Sequence, residues 1–117
     1  MKNLKFYTFV LLTSTIVLFT ACGGDDETVT PDPKATYTAD AKSILNASCN
    51  FSGCHNIGSA NGSIGNYADA KAFAQGNELL KAINHEDGVT AMPQGTNKLS
   101  DAKIASLEKW VADGYLE

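Results

Sequence analysis

Apolar residues in this chain come first as one nearly continuous run and afterwards only at helical spacing. From Phe6 to Phe19 apolar side chains are interrupted only by hydroxyl residues, and the run follows Lys2 and Lys5. A charged start, an apolar stretch shorter than the about 20 residues a spanning helix needs, and the small Ala21 make a three-part export signal over residues 1–21. An uncleaved membrane anchor is the competing reading of the same run. Residues 23–36 then turn to Gly, Asp, Thr and Pro, and Pro31-Asp32-Pro33 breaks any regular structure there. They read as a linker ending near Tyr37, able to span roughly 45 Å at about 3.3 Å per residue if extended.

Beyond the linker the period becomes helical. Thr38 is placed to cap a helix over Ala39–Ala47, with Asp40 in its first turn and Ala41, Ile44, Leu45 and Ser48 on one face. Asn66 can cap a short helix over Tyr67–Ala74, and Asn77 another over Glu78–Asn84 that buries Leu79, Leu80 and Ile83. Ser100 opens the clearest pattern, Asp101–Asp113, in which Ile104, Leu107, Trp110 and Val111 recur at helical spacing and Gly114 is the stop. Asn56–Asn66 and His85–Lys98 carry glycines without periodicity and read as loops. With no alternating strand pattern and no internal repeat, residues 37–117 are expected to form one small all-α domain. At that size cores are marginal, and a bound cofactor or metal often supplements them.

Charge narrows the partners. The chain carries a formal charge of −4 and has no arginine. Cleavage before Cys22 removes Lys2 and Lys5 and no acidic residue, which takes the charge to −6. Singly spread lysines make no basic patch for nucleic acid or anionic lipid. A basic partner surface is favoured instead.

Candidate chemistry lies in Cys49-Asn50-Phe51-Ser52-Gly53-Cys54-His55 and, far downstream, Met92-Pro93. A c-type haem requires two thiols that add across the porphyrin vinyl groups, and a histidine directly after the second that ligates the iron. Four residues separate these cysteines where the commonest signature has two. The extra residues can loop outward, helped by Gly53. The same residues also admit a small-loop disulfide, or three of four zinc ligands, although no second Cys/His cluster supplies a fourth. After cleavage Met92 is the one thioether left, and a loop stiffened by Pro93 can hold it against haem iron as sixth ligand. His85, seven residues earlier, is the rival ligand; its other reading is a partly exposed residue at a helix C-terminus. Leu18-Phe19-Thr20-Ala21-Cys22 accounts for the third cysteine, because it resembles a bacterial lipoprotein box in which Cys22 is acylated and anchors the protein.

The helix leading into Cys49, Cys54 and His55, then Met92-Pro93-Gln94-Gly95, then Lys98-Leu99-Ser100-Asp101 opening a helix with Trp110, resembles the monohaem class I c-type cytochromes over residues 37–117. That resemblance implies a cytochrome c-like helical domain wrapped around one haem c, with Cys49 and Cys54 holding the porphyrin, His55 proximal and Met92 distal. It implies that the first and last helices cross, bringing Ile44 and Leu45 near Leu107 and Trp110. A backbone carbonyl is expected to accept the second ring N–H of His55. The chain departs from the family in its cysteine spacing and in lacking the Gly-Pro pair that often follows the histidine. Gly23-Gly24-Asp25-Asp26-Glu27 after Cys22 resembles the acidic leader of Bacteroidetes lipoproteins, and reads equally as a plain solvated spacer.

The expected activity is one-electron transfer by a monomeric, non-enzymatic carrier. It would be exported to the outer membrane, at its periplasmic face or the cell surface, and would meet redox partner proteins transiently. A haem-based small-ligand sensor or weak peroxidase with a labile Met92, and a haem-free lipoprotein module stapled by Cys49 and Cys54, are the alternatives.

Overall fold

The computed structural model describes residues 31–76 and 78–117. The expected export signal, Cys22, most of the linker and the Asn77 cap lie outside the described residues. A π-helical turn, Tyr37–Ala41, runs directly into α1, Lys42–Ser48; α2 spans Tyr67–Gly76, α3 Leu79–Asn84 and α4 Asp101–Ala112. Among the described residues there is no strand, only an isolated parallel bridge between Thr36 and Leu116. No helix among them is long and apolar enough to cross a membrane. The all-α expectation is met.

Helix ends follow local capping chemistry, and in two places it differs from the expectation. The first helical segment is capped by Thr36, two residues before Thr38: Thr36 Oγ1 accepts from Ala39 N at 3.1 Å while Asp40 Oδ2 accepts from Thr36 N at 2.7 Å. This reciprocal pair satisfies two otherwise orphaned amides, which a cap at Thr38 would not. The Thr36 carbonyl is shared between Asp40 N at 2.9 Å and Ala41 N at 3.3 Å, and so widens the first turn. Ser100 occupies the N-cap position of α4, but its side chain makes no capping bond. Asn66 caps α2 as expected, its Oδ1 accepting from Asp69 N at 2.9 Å.

The buried apolar residues form a single cluster. Ala41, Leu45, Leu79 and Ile83 meet Ile104, Leu107 and Trp110, with Ile64 contributed by the loop before α2. Each fully buried aliphatic side chain contributes about 1.5–3 kcal/mol relative to exposure. The N-terminal turn reaches α4 chiefly through Tyr37, whose ring lies 6.0 Å from Trp110 and 5.5 Å from Tyr67. Its hydroxyl is buried without a partner, so the residue contributes through its ring. Trp110 Nε1 donates to Leu116 O at 2.8 Å, and the same oxygen accepts from Tyr37 N at 2.7 Å. Ala35 is buried as well, one residue inside the expected linker.

Ala35 N donates to Asp113 Oδ2 at 2.6 Å, and Lys109 Nζ lies 3.1 Å from the same oxygen. The backbone hydrogen bond first, and Lys109 second, hold the Asp113 carboxyl below its ordinary value. A depressed folded-state pKa gives stability that is present above the unfolded-state value and lost as pH falls through the folded one. The difference in Tm between the wild-type protein and Asp113→Asn should therefore shrink as pH is lowered from about 6 to about 3. A difference that stays constant over that range would show that the carboxylate charge carries no stability.

Candidate functional site

The described residues line a half-open cavity of about 860 Å³ beside the core, within the size range of small-molecule and cofactor sites. Leu45 of α1, Phe73 of α2, Leu79 and Ile83 of α3, and the loop residues Ile64 and Leu99 give it an apolar lining. Cys49, Cys54 and His55 enter from the loop after α1; Met92 and Pro93 enter from the loop between α3 and α4. Four sequence-predicted donors, separated by up to 43 positions along the chain, thus line one space.

Backbone turns explain how the wide cysteine spacing is accommodated. Cys49 ends α1, its N–H donating to Leu45 O at 2.9 Å, and its own carbonyl accepts from both Phe51 N at 2.9 Å and His55 N at 3.2 Å. The latter bond returns the chain to its starting point, so that His55 lies beside Cys49 despite the five intervening residues. Phe51, Ser52 and Gly53 are exposed, Gly53 at φ 81° with nothing near where a Cβ would stand, and Phe51 and Gly53 also border the cavity. The extra residues thus form an exposed bulge beside the cavity. Ser59 Oγ and Asn61 Nδ2 donate to the carbonyls of Cys54 and Gly53 and brace the bulge from the next loop.

His55 is held on every side that the chain can reach. Its carbonyl accepts from Ile64 N at 3.0 Å, and Nδ1 lies 3.1 Å from Gly62 O. A carbonyl can only accept, so Nδ1 carries the proton and Nε2 keeps its lone pair for a ligand. The Phe73 ring packs edge-on at 4.7 Å. Gly62 is the residue that sequence reasoning missed. It stands at φ 92°, and a Cβ there would come within 2.6 Å of Phe73 Cδ2. Only glycine combines that backbone with that approach. The one signal in the sequence was the glycine-rich character of residues 58–65.

The two cysteines differ. Cys49 is half-buried and Cys54 exposed, and both are free thiols. Burial first, and Cys54 second, push the Cys49 thiol up to about 11, so it is protonated at neutral pH. Among the described residues no three His, Cys, Asp or Glu side chains are grouped as a metal ion would need, and nothing here supplies the zinc reading with further ligands. No protein-family model, curated protein or solved structure matches this chain.

Met92 is fixed by its backbone. Its N–H donates to Ala82 O at 2.9 Å, and its carbonyl accepts from His85 Nε2 at 3.0 Å. The Met92-Pro93 peptide bond is cis. His85, the rival sixth ligand, caps the C-terminus of α3 and is not among the cavity-lining residues. The residues lining the cavity thus include two that carry thiols, one imidazole and one thioether. These residues, with an apolar lining, fit a covalently attached haem in both chemistry and volume.

Proposed function

We propose that residues 37–117 form a class I c-type cytochrome domain that carries one haem c and transfers single electrons. The observation that supports this reading is the convergence of Cys49, Cys54, His55 and Met92 on one apolar cavity. Cys49 and Cys54 would hold the porphyrin through thioethers, His55 Nε2 and Met92 Sδ would be the axial donors, and Gly62 O would be the carbonyl that orients His55. A haem held there by Cys49 and Cys54, with His55 and Met92 as the iron's protein donors, would supply one-electron redox chemistry. The protein's part is to fix two donors on rigid turns and to line the space with Leu45, Ile64, Ile83 and Leu99, which exclude water. The packing of the N-terminal turn on α4 is compatible with the helix crossing of that family.

The acidic balance favours partners with basic docking surfaces, met transiently over small interfaces. Acylation at Cys22 would tether the domain to a membrane after export. Expression in a host competent in cytochrome maturation tests both statements. Intact-mass analysis should find one haem adduct per chain, and the ferric protein should be low-spin with the weak far-red band of thioether ligation. A high-spin spectrum would transfer the assignment to a small-ligand sensor or weak peroxidase, and absence of any Soret absorption to a haem-free module. Cys22→Ser should move the protein from the membrane to the soluble fraction; retention in the membrane would refute the lipid anchor.

A further inference from the structure

His85 occupies an unexpected backbone position. It ends α3 at φ 57°, ψ 41°, the left-handed region where glycine or asparagine is the usual occupant and other side chains are uncommon. From this position the imidazole reaches the Met92 carbonyl. A carbonyl accepts only, so Nε2 carries the proton that makes this bond. The Met92 amide meanwhile is bound to Ala82 O, which also accepts from His85 N at 3.2 Å. One turn of helix thus holds both polar backbone groups of Met92, the amide through a main-chain bond and the carbonyl through a side chain that could have been absent.

We propose that His85 is a positioning residue for the thioether: it pins the Met92 carbonyl and so fixes the backbone from which Sδ reaches its ligand. The role rests on the haem reading above, and it acts through Met92 without contact to the haem. A residue serving only to end α3 would be improved by glycine, whereas a positioning residue is lost with its ring.

The test uses the full haem-loaded chain with His85→Gly, His85→Asn and His85→Gln. Glycine and asparagine suit the left-handed position, and neither reaches the Met92 oxygen; the amide of glutamine is long enough to do so. His85→Gly and His85→Asn should keep their thermal stability, weaken the far-red thioether band at least about fivefold, and bind added imidazole to the ferric protein about tenfold more tightly, the size expected for one net hydrogen bond. The Met92 amide should also exchange its hydrogen faster. His85→Gln should restore the band and the weak imidazole binding. If His85→Gly and His85→Asn keep the wild-type band and imidazole affinity, or if His85→Gln fails alongside them, the role of His85 is overturned while the haem reading stands. A wild-type chain without any haem adduct overturns both.

Discussion

Met92→Ala is expected to lower the reduction potential by on the order of 0.1 V or more, within the roughly 0.8 V over which axial ligands set haem potentials. A thioether sulfur favours the reduced iron, and its removal leaves a position for water or an added ligand. The far-red band should vanish, and the ferric protein should gain affinity for added imidazole or cyanide. The fold should survive, because Met92 is only half-buried and its anchoring bonds come from the backbone. Potentiometry and visible spectra on the same sample decide the matter. A variant with the wild-type band and potential would remove Met92 from the ligand set and reopen the question of the sixth donor.

Gly62→Ala should be among the most damaging single-methyl changes in the domain. An alanine at φ 92° is strained, and its Cβ would sit 2.6 Å from Phe73 Cδ2 and 2.9 Å from Phe73 Cε2. Together these costs come to about 2–4 kcal/mol of stability, read from denaturant unfolding. Relief of the contact would move Phe73 or the Gly62 carbonyl, and both touch His55. Haem content and the low-spin signature should therefore fall together with stability. Gly53→Ala is the matched control: φ is 81°, yet nothing lies within 4 Å of its Cβ. It should show the backbone strain without the steric part. Equal losses in the two variants would show that the Phe73 contact is irrelevant.

The elements that could be read in advance are those in which side-chain periodicity and capping agree. α4 combines a clean apolar face with Asp101 in its first turn and Gly114 at φ 91° after its end, and it matches the expected range to one residue. Asn66 caps α2 where expected, and the helix runs to Gly76, two residues past the expected end. Thr36 was missed because its cap depends on Asp40 reaching back to Thr36 N, and Ala35 because its burial depends on Asp113, 78 positions away. The candidate site divides in the same way. Cys49, Cys54, His55 and Met92 announce themselves by chemical type and order. Gly62 and His85 act through a carbonyl acceptor and a carbonyl partner, and no residue type reveals where a backbone oxygen will point.

The joining of residues 35–37 to the C-terminal segment at Leu116 O and Asp113 has a mechanical consequence. Tension drawn through the segment before Ala35 is taken up by the Ala35–Asp113 and Tyr37–Leu116 hydrogen bonds and passed to α4 through Trp110. None of these residues lines the cavity. A pull on this segment is thus spent at a clasp away from the cavity, and the loops that carry Cys49, Cys54, His55 and Met92 stay unstretched.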